Sequence, residues 1–268
     1  MTVANLKDLL EPASKNGYAI AGLVVLGWED ALAYVEAAEE TKIPIILQAG
    51  PGCRKHTPIP ILGKMFRYLA DNSSISIVSH IDHGYTIEEC FEGIESGFTS
   101  VMFDGSKLPI SENIDLTARV VEKARKSNVS VEGEVGIVGY SGGANSNGTK
   151  VKEAEKFNNE SGADALAISV GNVHLQKNKN CIIDLNLVKS IEKVTNLPLV
   201  LHGGSGISSK TRKELARNTR ISKFNIGTEI RMTFGKALRN KLKTDSNIYD
   251  RIEILKTTIP EVKEITSK

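Results

Sequence analysis

Eight short segments rich in apolar and β-branched residues, separated by amphipathic segments, predict a TIM (β/α)8 barrel, an α/β fold. Strands and helices that alternate at these lengths form right-handed crossovers, which build a parallel sheet. A length of 268 residues suits one barrel, so we expect a single domain over residues 1–268. A doubly wound sheet is disfavoured because no GxGxxG motif follows the first segment. The eight predicted strands are, in chain order, "YAIAGLVVLG", "IPIILQAG", "ISIVSHID", "FTSVMFDG", "VSVEGEVG", "ADALAISVG", "LPLVLHGG" and "ISKFNIGT".

The segments between these strands have the periodicity of helices that cover a barrel. Residues 86–97, 111–127 and 184–195 carry apolar side chains at spacings of three and four, as amphipathic helices do. The end of the chain, 245–268, predicts one or two extra C-terminal helices packed on the barrel. Residues 139–149, "GYSGGANSNGT", contain four glycines and exceed a minimal connection, so we predict a mobile loop beside the functional face.

The composition excludes several classes of partner. The chain has 34 basic and 32 acidic residues, a net charge of +2, and no long block of like charge, so we expect neither nucleic acid nor a membrane as a partner. Its three cysteines show no CxxC spacing, which argues against a disulfide framework or a zinc knuckle. The first residues lack a basic segment followed by an apolar run, and no apolar stretch approaches about 18 residues. We therefore predict a cytoplasmic protein.

Polar side chains that can carry chemistry cluster at the predicted strand ends. Functional groups in barrels of this class lie at the carboxyl ends of the strands. A single histidine at such a place is usually a hydrogen-bonded structural residue, but four of the five histidines fall in this set, which indicates a shared site. The set consists of His80, Asp82 and His83 on the third strand, Asp104 after the fourth, Glu132 and Glu134 on the fifth, His174 after the sixth, His202 at the end of the seventh, and Asn225 on the eighth.

Three of these histidines predict a metal site. Neutral imidazoles from different strands suit a divalent cation of the zinc type, which takes three protein ligands and leaves positions open for a substrate. We expect His83, His174 and His202 to be the ligands. His80 lies within its strand rather than at the end, so we expect it to serve in packing.

The carboxylates leave more than one interpretation open. Glu132 and Glu134 are two residues apart on a strand and therefore point the same way. Beside a cation, such carboxylates either bind the metal or transfer protons. For Asp104, capping of the following helix is an alternative to a role in the site.

Two glycine-containing loops predict an anion site. "HGGSGIS" (202–208) and "NIGT" (225–228) each combine glycine with a hydroxyl residue directly before a predicted helix. Backbone N–H groups at a helix start bind phosphate, and barrels usually hold a phosphate after their seventh and eighth strands. The predicted ligand therefore carries a phosphate beside a metal.

Taken together, these motifs resemble the class II metal-dependent ketose-bisphosphate aldolases, which include fructose- and tagatose-bisphosphate aldolases. The resemblance implies that His83, His174 and His202 bind the catalytic zinc, and that Asp82 is the acid/base for the aldehyde half of the substrate. The resemblance covers nearly the whole chain and rests on "SHIDHG", "SVMFDGS", "VEGEVG", "GNVH", "LPLVLHGGSGI" and "FNIGTEIR", in family order and at family-like spacing.

The same resemblance implies the rest of the site. Glu134 and Asp104 would lie near an alternative metal position, with a monovalent cation, Na⁺ or K⁺, near the phosphate. The assembly would be a homodimer or homotetramer. The residues that would hold the phosphate of dihydroxyacetone phosphate are Gly203, Ser205, Asn225, Gly227 and Thr228. The implied reaction cleaves a ketose phosphate between C3 and C4, or condenses the products, through a metal-stabilised enediolate.

The chain departs from the family pattern at three places. Leu175 follows His174 where the family usually has glycine. The loop after the fifth strand lacks the acidic pair that supplies the base at the triose carbon. Glu132 is our first candidate to replace it, and Tyr140 or a residue outside this loop are the alternatives. The first strand reads "LVVLG" without the asparagine often found there.

These departures keep other functions open. The nearest alternative is an aldolase of the same mechanism with a non-standard acceptor aldehyde, whose carboxylate or second phosphate would meet Arg54; a solvated charge is the other interpretation of Arg54. A catalytically silent sugar-phosphate binding protein is a second alternative, motivated by the missing loop acid. A metal-dependent sugar-phosphate isomerase or epimerase is a third.

Overall fold

The computed structural model describes residues 2–143 and 145–268, and within them eight parallel strands close into a barrel. Each strand pairs with the next along the chain, and β8 pairs with β1. All eight predicted strands are present, so the predicted TIM-barrel class is confirmed. The strands are Ile20–Val24 (β1), Ile45–Ala49 (β2), Ile77–Gly84 (β3), Ser100–Phe103 (β4), Ser130–Val135 (β5), Ala165–Ile168 (β6), Leu199–Leu201 (β7) and Ile221–Ile226 (β8).

Helices surround the barrel in the order that the periodicity predicts. The three segments predicted as helices correspond to α5, α6 and α8, and the chain ends in two short helices, α11 and α12, as expected for 245–268. The helices are Leu6–Asn16 (α1), Trp28–Thr41 (α2), Pro51–His56 (α3), Ile59–Asp71 (α4), Ile87–Glu95 (α5), Ile110–Arg125 (α6), Val151–Glu160 (α7), Leu185–Glu192 (α8), Ser209–Asn218 (α9), Thr228–Thr244 (α10), Arg251–Lys256 (α11) and Ile259–Thr266 (α12). None of them has both the length and the apolar composition needed to cross a bilayer, within the part of the chain that the structure describes.

The apolar core has two parts. The larger lies between the outer faces of the strands and the covering helices. The smaller fills the amino-terminal end of the barrel, where the buried face of α1 packs against inward-pointing strand residues such as Ile46, Val78 and Val200. An Asn5 capping box begins α1 and Gly17, in the left-handed region, ends it, so the helix is well defined at both ends. Because α1 closes one end of the barrel, only the carboxyl end of the strands remains for a ligand site.

Candidate active site

The end of β3 carries Asp82 and His83 in an unusual backbone conformation. His83 has φ of +52°, in the left-handed region that side chains other than glycine seldom adopt. The pairing of β3 with β4 shifts register between Ile81 and Gly84, which marks the same irregularity. Such a conformation persists only where the surrounding structure holds it in place.

Arg54 of α3 supplies part of that support. Its guanidinium donates to the carbonyl oxygens of Ala49 (2.6 Å), Asp82 (2.6 Å) and His83 (2.9 Å). It also lies 3.4 Å from a carboxylate oxygen of Glu89, and its side chain is only 4% exposed. Both interpretations of Arg54 from the sequence are therefore wrong: it is neither a solvated charge nor placed to meet a substrate anion, because Nη1 and Nη2 bind the backbone of β2 and β3 and the buried side chain does not line the cavity.

The three histidines predicted as metal ligands lie together at the carboxyl end of the barrel. The ring centroids of His83 and His202 are 4.5 Å apart, those of His83 and His174 are 5.2 Å apart, and those of His174 and His202 are 5.6 Å apart. One nitrogen from each ring lies within 4.8 Å of the others. The arrangement has the donor type and spacing that a divalent cation needs.

The hydrogen bonds of this group leave atoms free to hold a cation. Nδ1 of His83 donates to Asp104 (2.7 Å), which leaves its Nε2 for a ligand, and Nε2 of His202 donates to Glu132 (3.1 Å), which leaves its Nδ1. Those two free nitrogens and Oε2 of Glu134 are buried and have no hydrogen-bond partner among the described residues. Buried polar atoms are normally satisfied, so this set fits a metal ion held by the histidines.

A second carboxylate-rich group adjoins the three histidines. His83, Asp104 and Glu134 also bring their ligand atoms within 4.8 Å of one another, and Glu134 Oε2 lies 3.6 Å from Nδ1 of His202. Asp104 accepts hydrogen bonds from the backbone N–H and hydroxyl of Ser106, so it closes the turn after β4. It does not cap α6, whose N-cap is Pro109.

The electrostatics favour neutral imidazoles at two of the three positions. Burial lowers the pKa of both His174 and His202 to about 3, and the positive charge of His83 acts in the same direction. Burial also opposes the charged form of His83, but Asp82, Asp104 and Glu134 around it raise its pKa to about 10. Without a bound cation, the positive charge of protonated His83 therefore balances part of the negative charge of these carboxylates.

Asp82 lies beside the histidines and is held by Asn225. Its Oδ1 accepts a hydrogen bond from Nδ2 of Asn225 (3.0 Å), and both side chains line the cavity at the barrel mouth. Burial alone would raise the pKa of Asp82, but His83 and His202 outweigh it and lower that pKa. Asp82 is therefore ionised at neutral pH and can accept a proton.

The predicted anion-binding loops meet at the start of α10. The hydroxyl of Ser205 accepts from the backbone N–H groups of Gly227 and Glu229, both at 3.2 Å, and so joins the loop after β7 to this helix. Gly203 has φ of +66°, and a Cβ there would lie 2.2 Å from the carbonyl oxygen of Val173, so the close approach of the loops after β6 and β7 requires glycine. Gly203, Ser205, Gly227 and Thr228 all line the same cavity as His83 and His174.

Comparison with known proteins agrees with this geometry. The family model described as class-II fructose-bisphosphate aldolase matches residues 4–268. The chain belongs to this family. It is 36% identical over 272 residues to a 6-phospho-5-dehydro-2-deoxy-D-gluconate aldolase of Bacillus licheniformis, with 98% of this chain and 92% of the relative covered. It is 34% identical over 274 residues to a fructose-bisphosphate aldolase of Staphylococcus epidermidis, at 98% and 94% coverage.

A solved structure supports the same assignment. The YdjI aldolase of Escherichia coli K12 superposes with a TM-score of 0.82 at 28% identity, over 99% of this chain and 94% of the other. As a class II aldolase the chain is a lyase, and the family resemblance of the sequence is confirmed. Class II aldolases are generally metal-dependent, and they act on sugar phosphates.

Within this class II aldolase, the departures from the family pattern lie around the cavity. Leu175 has φ of +56°, in the region where glycine would be unstrained, and its side chain stands at the cavity edge. Tyr140, from the loop after β5, stacks on His174 with ring centroids 4.8 Å apart. The backbone of this loop also pairs with His174, through Gly139 and Ser141. The loop predicted over 139–149 therefore borders the site, and its residue 144 lies outside the described residues.

A polar layer beneath the histidines contains a residue that the sequence analysis did not predict. Lys223 of β8 is fully buried and donates to Glu132 (2.6 Å) and to Nε2 of His80 (3.2 Å). His80 completes the layer by donating to the hydroxyl of Ser100 (2.8 Å), and among the described residues it belongs to neither candidate metal-binding group. The sequence feature that could have indicated a buried lysine is its position inside the apolar alternation of "ISKFNI".

A second polar residue was also missed. Gln48 of β2 is fully buried, and neither atom of its amide has a hydrogen-bond partner among the described residues. A Cβ at Gly22 of β1 would lie 1.9 Å from Gln48 Oε1 and 2.9 Å from Oδ1 of Asn225. The lack of a side chain at Gly22 therefore leaves space for the amide of Gln48. The one sign of a buried polar residue in the sequence was the glutamine within the apolar run "IPIILQAG".

Replacing Arg54 with methionine tests its support of the end of β3, which carries His83. We expect the free energy of unfolding to fall by about 3 kcal/mol, because buried carbonyl oxygens lose their donor. We expect zinc affinity to weaken by about 10–100-fold, the usual effect of removing a residue that orients a ligand. Denaturant unfolding and zinc titration measure the two effects.

Arg67 provides the matched control for Arg54. It pairs with Asp71 at 2.8 Å on the exposed face of α4, so Arg67→Met should change stability by less than about 1 kcal/mol and leave zinc affinity unchanged. An Arg54→Met protein that binds zinc as tightly as the unaltered chain would refute the positioning role.

Proposed function

We propose that this aldolase uses zinc to cleave a ketose phosphate into dihydroxyacetone phosphate and an aldehyde, and to catalyse the reverse condensation. One observation carries the proposal: the unsatisfied, buried nitrogens of His83 and His202 converge with His174 beside a phosphate-binding loop pair. His83, His174 and His202 would hold the ion, with Asp104 and Glu134 at an adjacent position. When bound, the ion supplies a Lewis acid that stabilises negative charge developing on the triose half.

The residues of the chain account for the other steps. Gly203, Ser205, Gly227 and Thr228 bind the phosphate through the loops and the first turn of α10, which fixes the triose. Asp82 takes the proton of the C4 hydroxyl, the C3–C4 bond breaks, and its electron pair remains on C3. Asn225 orients Asp82 through its amide and extends the phosphate-binding group into the cavity.

A second proton transfer completes cleavage by protonating C3. Glu132 was our first candidate from the sequence, yet both of its oxygens are engaged, one by His202 and the other by Lys223, beneath the histidine layer. Tyr140 lines the cavity and stacks on His174, so the geometry favours its hydroxyl over Glu132 for this step.

Two further features are proposed on the family resemblance alone: a monovalent cation, Na⁺ or K⁺, accompanies the phosphate, and the chain assembles as a homodimer or homotetramer. From the composition and length we propose that it acts in the cytoplasm as one catalytic domain over 1–268. Light scattering of the purified protein tests the assembly, and a comparison of activity in sodium, potassium and tetramethylammonium salts tests the monovalent ion.

Proton exchange tests the core of the proposed function. The zinc-loaded protein, incubated with dihydroxyacetone phosphate in D₂O, should replace one C3 proton with deuterium, because half of the aldol reaction needs no aldehyde. Proton NMR measures this exchange, and a chelator should stop it. Phosphate binding without exchange would support the silent binding protein instead, and products that keep every carbon in one molecule would support an isomerase or epimerase.

A further inference from the structure

The cavity has a wall without charge, formed by residues outside the phosphate loops and the histidines. We define the acceptor wall as Leu26, Tyr85, Tyr140 and Leu175, which line the cavity together with the turn that begins α3. Each of the four side chains is more than a third exposed, although each lies beside the buried histidines or β1. Apart from the histidines, Arg231 is the one cationic residue among the described residues that line the cavity.

Arg231 belongs to the phosphate side of the cavity. It is the fourth residue of α10, and its Nε is 3.4 Å from the carbonyl oxygen of Gly227, the N-cap residue of the helix. One phosphate at this helix start would use Arg231 as its nearest countercharge. It therefore does not supply a cation to the acceptor wall.

Four other cationic side chains near the mouth of the barrel have partners of their own. Arg54 is enclosed by backbone carbonyls, as described above. Lys179 and Arg212 both bind Glu229, each at 2.7 Å. Lys107 lies over the ring of Tyr85, 5.8 Å from its centroid, and does not line the cavity.

The backbone conformation of Leu175 indicates that an apolar side chain at this place in the wall has a function. A left-handed backbone disfavours a branched side chain, and glycine there would avoid the strain, yet the chain places leucine beside His174. Tyr140 is fixed next to it by stacking on His174 and by the paired backbone of its loop. These side chains present carbon surface and phenol hydroxyls, and none of them carries a positive charge that could pair with an anion.

We propose that the acceptor aldehyde of this enzyme carries neither phosphate nor carboxylate, so that its ketose substrate is a monophosphate. The inference rests on the proposed aldol reaction and narrows its substrate class. An anion against this wall would lose solvation without a cation that lines the cavity beside it, whereas a neutral hydroxyaldehyde or alkyl aldehyde carries no charge to desolvate. The reaction is otherwise unchanged: C3–C4 breaks, Asp82 takes the hydroxyl proton, and C3 receives one.

Two matched pairs of aldehydes test the inference with the unaltered, zinc-loaded protein and dihydroxyacetone phosphate. Glyceraldehyde and glyceraldehyde 3-phosphate differ by a phosphate; butyraldehyde and succinate semialdehyde differ by a carboxylate. We expect kcat/KM to be at least about 10-fold higher for the neutral member of each pair, which corresponds to about 1.4 kcal/mol in the transition state. Product mass identifies the condensation product.

A positive charge placed on the wall should weaken the preference for the neutral aldehyde. Leu175→Arg should raise kcat/KM for glyceraldehyde 3-phosphate relative to glyceraldehyde by about 10-fold, because an added cation would favour the phosphorylated partner. Leu185→Arg is the matched control: Leu185 is 50% exposed against 45% for Leu175, and it lies on α8 away from the cavity. It should leave the ratio unchanged.

The outcomes separate this inference from the proposed function. If C3 exchange occurs but the unaltered protein uses the charged member of each pair as well as the neutral one or better, the inference is wrong and the aldol function stands. If the protein neither exchanges the C3 proton nor condenses any of the four aldehydes, the aldol function itself fails, and the inference fails with it.

Discussion

Replacing His202 with alanine should remove zinc from the protein and lower aldol turnover by more than about 10³-fold, the loss that corresponds to about 4 kcal/mol of transition-state stabilisation. The ring of His202 is fully buried at the end of β7, and its Nδ1 has no hydrogen-bond partner among the described residues. Alanine removes this donor and leaves two histidines, too few for a typical zinc site. Metal analysis after dialysis and steady-state cleavage rates measure the two effects.

His56→Ala is the control for the loss of a histidine. His56 ends α3 on the exposed surface and belongs to neither metal-binding group, so its replacement should leave zinc content and turnover unchanged. Circular dichroism of the His202→Ala protein verifies that the barrel still forms. A folded His202→Ala protein with full zinc occupancy would refute the proposed ligand set.

The barrel was predictable because its signals are local. Each strand is a short apolar run, and residues such as Ile46 and Val78 follow an alternation that the chain repeats around the barrel. The histidines could be grouped for a related reason: the carboxyl ends of parallel strands meet at one end of a barrel, whatever their separation in sequence. The fold rule therefore placed His83, His174 and His202 close together before any distance was known.

The partners of the polar groups could not be predicted in the same way. Alternation indicates that Glu132 and Lys223 point inward, but it does not say that they meet across the barrel at 2.6 Å. For the same reason Glu132 was placed among candidate bases, although Lys223 and His202 occupy its oxygens. Arg54 was misjudged because its position in a short polar run suggests solvent, while the left-handed turn at His83 brings carbonyl oxygens to it.

The left-handed backbone conformation of Leu175 could not be predicted from the sequence pattern either. Nothing in "GNVHLQ" indicates that Leu175 adopts φ of +56°, since leucine is rare in that region. The sequence marked Leu175 only as a departure from glycine. The structure adds that Leu175 and Tyr140 line the same cavity. Leu175 is therefore one of several uncharged side chains that form the acceptor wall.

Changing Asp82 to asparagine should slow cleavage by about 10²–10⁴-fold, the usual contribution of a positioned acid or base, while zinc content stays unchanged. Asparagine keeps the size of the side chain and can still contact Asn225, but it cannot accept the C4 hydroxyl proton. The lowered pKa of Asp82 gives the expected pH dependence: the carboxylate is ionised at neutral pH, and cleavage falls as the solution is acidified and the carboxyl becomes protonated. Asp71→Asn, at an exposed ion pair with Arg67, is the matched control and should cleave normally.

The same variant distinguishes the two halves of the reaction. Asp82 acts on the aldehyde half in the proposed mechanism, whereas C3 exchange of dihydroxyacetone phosphate involves only the triose half. Asp82→Asn should therefore retain C3 exchange within about 10-fold of the unaltered rate, well short of its loss of cleavage. If exchange and cleavage fall by the same factor, Asp82 serves the triose carbon, and Tyr140 loses the role assigned to it. If cleavage stays near normal, Asp82 has no part in proton transfer, and the C4 hydroxyl must lose its proton to another group at the cavity.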